Sequence, residues 1–327
     1  MKCLVTGASG FVGSAVVNAL LDDGHQVRVL VRSSSPRENV ASLPIEIYEG
    51  DLKDKASLSK ALLGCESLFH VAADYRLWTP DPNELYENNV TGTRNLMEAA
   101  LEQKLARIVY TSSVATLKPS DQGIAVSEDS IGTADSMVGH YKRSKFLAEA
   151  EVDRLVREAG LNAVIVNPST PIGPRDVKPT PTGRIIFDAM RGRIPAYVDT
   201  GLNIVHVDDV AKGHLLAFEK GQIGRRYILG GDDMTLREIL YAVARFAGRR
   251  PPVVRLPRRM LYPIAVIAQE WARLTNGPEP QTTIDGLRMA AKKMFFDSSR
   301  AKSELGYVAR PGVNAIEEAV HWFQARA

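Results

Sequence analysis

Lys2-Cys3-Leu4-Val5-Thr6-Gly7-Ala8-Ser9-Gly10-Phe11-Val12-Gly13 opens the chain, and its reading decides the fold. Lys2–Thr6 is a compact apolar run of strand type. The glycines that follow are spaced Gly-x-x-Gly-x-x-Gly, and helical periodicity runs from Gly13 to Asp23, stopped at Gly24. An α/β sheet binds a nucleotide at such a place, outside the carboxyl end of a strand and at a helix start. Glycine lets the backbone turn tightly and lets a pyrophosphate come close. The helix start offers unpaired N–H groups and a partial positive charge. A bare glycine turn has the same residues, but a strand before it and a helix after it favour a dinucleotide. Gly7, Ser9, Gly10, Phe11, Val12 and Gly13 are the candidate contacts.

The same alternation continues outward. Strand-like runs at Gln26–Val31, Ile45–Glu49, Ser67–Val71, Arg107–Thr111 and Ala163–Val166 alternate with helical patterns, the longest at Asn83–Gln103 and Gly139–Ala159. Strands separated by helices predict βαβ units in a doubly wound parallel sheet. Their nearly continuous apolar character fits a sheet covered on both faces. After Pro168 the texture changes: five prolines between Pro168 and Pro181 exclude a central strand. The expected organisation is a Rossmann domain over 1–168, with 202–231 rejoining its sheet. A smaller substrate domain would take 169–201 and 232–327. Thr235 reads as the N-cap of a helix to Gly248, and Val313–Arg326 as an amphipathic tail helix.

Composition bounds the function. The 327 residues are 45% apolar and 24% charged, enough for a substantial core and ordinary for a globular chain. Forty-one basic residues against 38 acidic ones leave +3, with the basic residues scattered, so nucleic acid is not an expected partner. Cys3 and Cys65 make no disulfide framework and read as reduced and structural. No Cys/His cluster has metal-ligand spacing, and no metal is expected. The chain runs at once into a strand, leaving no room for a signal peptide, and no apolar stretch reaches the ~18 to 20 residues of a membrane span. A cytoplasmic protein is the expectation.

Further residues refine the chemistry. An NAD site places a carboxylate about 20 residues beyond the glycine loop, on the ribose 2′-hydroxyl. Arg32 stands there. A guanidinium cannot accept that bond but pairs well with a 2′-phosphate, so NADP(H) is expected to be preferred, with NAD(H) the weaker alternative. Asp51, before Leu52, faces the adenine amino group or caps the next helix. Ala72 and Ala73, at the end of the fourth strand, allow either close cofactor approach or tight packing. Tyr141 and Lys145 lie four apart on one helix face. A lysine ammonium near the phenol would favour the phenolate and lower its pKa.

A glycine loop of this spacing followed by Tyr-x-x-x-Lys resembles the short-chain dehydrogenase/reductase superfamily. The run Asn167–Pro174, Val205–Val210 and the closing Glu304–Tyr307 resemble its extended subgroup, and the likeness covers the whole chain. Two groups within it are similar: the dihydroflavonol 4-reductase-like reductases and the bacterial hopanoid-associated sugar epimerases. The second is similar through Tyr75-Arg76-Leu77-Trp78 and Gly139–Lys145 and implies a role near hopanoid lipid synthesis. The resemblance implies hydride transfer between the nicotinamide and a carbonyl or alcohol carbon. Tyr141 would handle the proton, Lys145 would hold the nicotinamide ribose, and Ser113 would hold the substrate oxygen, with Thr111 beside it. Asn89 matches the family's helix asparagine, and Pro168 and Ser169 would flank the nicotinamide.

Tyr75, Trp78 and His140, with Ser113, are the candidate substrate contacts. Arg175, Lys178 and Arg184 either bind an anionic substrate or are solvated. Capping is the preferred reading of His206, Asp208 and Asp209. Arg258–Ala268 is basic and then apolar. A packed helix is expected there, with a lid or a membrane contact as alternatives. The two long helices resemble those that pair subunits of extended members, which implies a homodimer. The leading function is an NADP-dependent reductase of a small-molecule or lipid-linked carbonyl. The alternatives are a sugar or nucleotide-sugar epimerase that retains its NAD(P), and a non-catalytic NADP sensor. Ser113, Tyr141 and Lys145 together argue against the sensor.

Overall fold

The structure is a computed structural model describing residues 1–275, 277, 280 and 282–326. Its first part runs β1 Lys2–Thr6, α1 Phe11–Asp22, β2 Gln26–Val31, β3 Glu46–Glu49, α2 Lys55–Leu62, β4 Ser67–His70, α3 Asn83–Tyr86, α4 Gly92–Glu102, β5 Arg107–Thr111, α5 Gly139–Ala159 and β6 Ala163–Pro168. The remainder runs β7 Thr170–Ile172, α6 Pro181–Met190, β8 Ala196–Tyr197, β9 Gly201–His206, α7 Val207–Lys220, β10 Arg226–Leu229, β11 Asp232–Thr235, α8 Leu236–Phe246 and β12 Val254–Arg255. Four helices close the chain: α9 Tyr262–Thr275, α10 Ile284–Met289, α11 Ser299–Leu305 and α12 Gly312–Gln324.

Seven strands form one parallel sheet in the order β3-β2-β1-β4-β5-β6-β10. Alternate residues of each strand serve opposite faces. Cys3, Val5, Phe69, Val109 and Val164 pack with α1 and α7. Leu4, Leu68, Ile108, Tyr110 and Ile165 pack with α2, α4 and α5 on the other face. This explains why the strand sequences are apolar at almost every position. Strand order reverses between β1 and β4, so the loops leaving their carboxyl ends diverge and open the crevice that such a sheet uses for ligands.

The segment 202–231 divides rather than rejoining the sheet as a whole. Arg226–Leu229 pairs with β6, but Gly201–His206 pairs with β7 and β11 in a separate three-stranded sheet. The prolines after Pro168 turn the chain out of the main sheet, and β7 gives β9 a partner outside it. A third core, including Ile172, Ile204, Val243, Ile316 and Phe323, joins this small sheet to α6, α8 and α12. Thr235 caps α8 in a reciprocal box with Glu238. The expectation of a packed helix after Arg258 fails: α9 buries only Ala265 and Ala272. Cys3 and Cys65 are free and buried, and burial raises both thiol pKa values. Among the described residues no helix is long and apolar enough to cross a membrane.

Candidate active site

The glycine loop is built as a cradle. Gly7 has φ +73°, and a Cβ there would meet the backbone of Ala72 at 2.6 Å. A Cβ on Gly13 would lie 2.1 Å from the Gly7 carbonyl oxygen. The loop is closed by the Gly10 amide donating to the Gly7 carbonyl at 2.9 Å. Gly10 caps α1 with no side chain, and the first turn carries no acidic residue. The first-turn N–H groups, which have no intrahelical acceptor, therefore face a site with room and no competing carboxylate. Thr6 Oγ1 accepts from the Ala72 amide at 3.2 Å, tying the first strand's end to the fourth's. Ala72 is thus a close-approach residue of the cradle wall.

Across the crevice lie the residues expected to do chemistry. Ser113 follows β5, and its Oγ accepts from the Ala115 amide at 3.1 Å. It also stands near Tyr141 in the first turn of α5 and acts to lower that phenol's pKa. Lys145, one helical turn on, is buried and donates to the Thr111 carbonyl at 2.9 Å. Burial lowers its pKa to about 8, partly opposed by Glu149 one turn further along α5.

The expected depression of the Tyr141 pKa is absent. Burial raises it, the nearby Ser113 side chain pulls the other way, and the Asp74 carboxylate raises it further. The lysine is turned toward Thr111 and the Tyr110 ring, 5.0 Å from its centroid, so the phenol's main influences are desolvation and Ser113.

Asp74 was not legible as a site residue. It sits just beyond Ala73, and Arg76 grips it through Nε at 2.9 and 3.2 Å and Nη2 at 2.5 Å. Asn88 adds a bond at 3.2 Å. These partners keep the carboxyl below its ordinary range despite burial. The available signal was the charge pair Asp74-x-Arg76 at a strand's carboxyl end. Asn89 lies in a π turn, Glu87–Thr91, that joins α3 to α4. Such wide turns recur at functional sites. Its amide donates to the Asp74 carbonyl at 2.8 Å and to Ser144 Oγ at 2.9 Å, and accepts from the Asp74 amide at 2.7 Å. Asn89 therefore positions the Asp74 loop against α5.

Other expected residues are placed as follows. The Thr111 hydroxyl points to the far face of the sheet, 2.9 Å from His214 Nε2, so only its carbonyl faces Lys145. Asp51 does not cap α2; Asp54 does, and Asp51 accepts from the Lys53 amide at 2.9 Å. Leu52 packs against Gly92, and its carbonyl accepts from Asn95 at 3.1 Å. His140 Nδ1 is 3.1 Å from the Tyr86 hydroxyl. Tyr75 and Trp78 lie in the loop between β4 and α3, with Tyr75 exposed. Arg175 is spent on Asp208. His206 caps α7, while Arg310 bonds both His206 and Asp209, so this cluster is structural.

Ser112 Oγ, Ser169 Oγ and Asn167 Oδ1 are buried without a partner, next to Ser113 and at the end of β6. Buried polar atoms are rarely left so, and a cofactor amide or hydroxyl between β5 and β6 would satisfy them. The glycine cradle and these orphaned atoms together fit a nicotinamide dinucleotide. Gly7–Gly13 would take its phosphates, and Ser169 with Pro168 its nicotinamide end.

Residues 3–230 match the model of the NAD dependent epimerase/dehydratase family. The chain is 44% identical over 324 residues to a provisionally named dihydroflavonol 4-reductase of Synechocystis sp., covering 98% of this chain and 94% of that one. It is 34% identical over 329 residues to sterol demethylase protein B of Methylococcus capsulatus, covering 100% and 99%. A 4-hydroxy-2-methyl-3-oxo-4-farnesyl-3,4-dihydroquinoline-1-oxide ketoreductase of Stigmatella aurantiaca is 30% identical, covering 98% and 96%. The crystal structure of gox2253 superposes with a TM-score of 0.90 at 51% identity, covering 100% and 98%. A nucleoside-diphosphate-sugar epimerase of Pseudomonas aeruginosa, at 24% identity and TM-score 0.83 over 100% and 98%, shares the fold.

Proposed function

Since the chain belongs to the NAD dependent epimerase/dehydratase family and is an NAD(P)-dependent enzyme of that kind, we propose that it is an NADP-dependent reductase of an apolar carbonyl compound. The observation that carries the cofactor preference is Arg32. It is exposed just beyond β2, and it pairs with no described carboxylate, whereas Arg28 and Arg37 are committed to Glu46 and Glu49. An unspent guanidinium there suits a 2′-phosphate.

The bound nicotinamide supplies the hydride. Ser113 holds the carbonyl oxygen by hydrogen bonding, and Tyr141 delivers the proton to it. With its pKa raised above the ordinary tyrosine value, Tyr141 is protonated at neutral pH, which is the form that reduction needs. Lys145, still mostly charged at pH 7, would hold the nicotinamide ribose. Asn89 holds the Asp74 loop beside α5 and Tyr141.

Two relatives bear names that refer to a sterol and a farnesyl-bearing quinoline oxide. With the hopanoid-associated motifs, they support an isoprenoid-type lipid carbonyl as the substrate class. Of the three basic candidates for an anionic nucleotide-sugar, Arg175 is committed to Asp208 and is removed from that role.

The test is to denature freshly purified protein, identify any released nucleotide, and titrate the stripped protein with NADPH and NADH, beside Arg32→Ser. Little retained nucleotide and tighter NADPH binding, lost in the variant, is expected. Stoichiometric, tightly held NAD would overturn the reductase and put the retaining epimerase first.

A further inference from the structure

Helix α9 is mounted with its apolar side outward. Ile264, Ile267, Trp271 and Leu274 follow at steps of three, four and three residues. At about 100° per residue they fall within an arc of roughly 80°. They are 57%, 70%, 69% and 81% exposed. Met260, one turn earlier, continues the stripe at 63%. The opposite side rests on the protein through Ala265 and Ala272. A surface helix ordinarily does the reverse, turning its large apolar residues inward.

Charge decides what covers this stripe. Arg258, Arg259 and Arg273 lie along this segment against one acidic residue, Glu270, leaving it at +2, and none of the three arginines pairs with a described carboxylate. A second copy docking along the stripe would bring two such positively charged segments together. An anionic surface neutralises them. A tryptophan within an apolar stripe on a net positive segment is the composition of a helix lying in the headgroup layer. We propose that Met260–Leu274 docks this protein flat on an anionic lipid bilayer.

The docking helix is joined to the catalytic helix. Gln269 of α9 accepts from the Ile284 amide of α10 at 3.0 Å. The Asp285 carboxylate of α10 comes within 2.9 Å of where a Cβ on Gly139 would sit, and Gly139 is the first residue of α5, two before Tyr141. Docking of α9 would thus bring α10 and the start of α5 near the bilayer; that this serves a lipid substrate rests on the substrate class proposed above, while the docking does not.

Full-length protein is sedimented with vesicles of phosphatidylcholine alone and of phosphatidylcholine with a quarter phosphatidylglycerol. Binding to the anionic vesicles is expected, at least about tenfold weaker for Ile267→Glu/Trp271→Glu and weakened by salt. Both substitutions are at exposed positions, so melting temperature and NADPH affinity should be unchanged. Equal binding by wild type and variant, or no binding to either vesicle, overturns the proposal. So does a lipid-free dimer that the substitutions dissociate, which would make the occupant a second copy. NADPH titration of the same samples reports separately on the reductase reading.

Discussion

The titration of Lys145 is measurable as a change in stability. It is 2% exposed, and burial lowers its pKa from 10.5 to about 8. A lysine whose folded pKa lies below its unfolded value weakens the fold while both states are protonated. The unfolded chain binds more protons between the two pKa values, so stability attributable to this residue rises with pH across that window. With these pKa values the penalty is about 3 kcal/mol at pH 7 and falls by about 2 kcal/mol by pH 9.5. Lys145→Met removes the titration, leaving the Thr111 carbonyl without its donor at a pH-independent cost of about 1–3 kcal/mol.

Cofactor-free wild type should therefore gain about 2 kcal/mol relative to Lys145→Met between pH 7 and pH 9.5, roughly 3 °C in Tm for a chain of this size. Urea unfolding of both proteins at the two pH values measures it. Buried Lys142, also lowered to about 8, titrates in both proteins and cancels in the difference. A wild-type-minus-variant difference that stays flat would refute the buried, destabilised charge.

Gly13→Ala puts a Cβ 2.1 Å from the Gly7 carbonyl oxygen, so NADPH binding should be lost and Tm should fall; titration and a thermal melt check it. Tyr141→Phe should lower turnover by about 10²–10⁴-fold with NADPH affinity nearly unchanged. Asp74→Asn removes a charge that raises the Tyr141 pKa, so the high-pH loss of reductase activity should begin at lower pH than in wild type; an unshifted profile would contradict the placement of Asp74. The homodimer implied by the two long helices is checked by equilibrium sedimentation at micromolar concentration, where a monomer would remove it.

Local patterning determined much of this protein. The Gly7–Gly13 spacing, the alternating strands and helices, and Tyr141 with Lys145 on one helix face are properties of short windows, set by backbone sterics and helical period. The caps at His206 and Thr235 were legible for the same reason. What required the tertiary structure is what depends on neighbours distant in the chain. Thr111 turns its hydroxyl to His214 because α7 covers that face. Gly201–His206 leaves the main sheet because β7 and β11 offer it partners elsewhere. Asp74 enters the site only because Asn89 and Ser144, 15 and 70 residues on, hold its loop. The four-residue spacing of Tyr141 and Lys145 was visible in the chain, but their ionisation was not. A pKa is set by the surroundings in space, and here desolvation of the phenol outweighs a lysine turned toward another strand. The apolar residues of α9 were equally plain in sequence, yet only packing revealed that the helix stands on its alanines and leaves the stripe exposed.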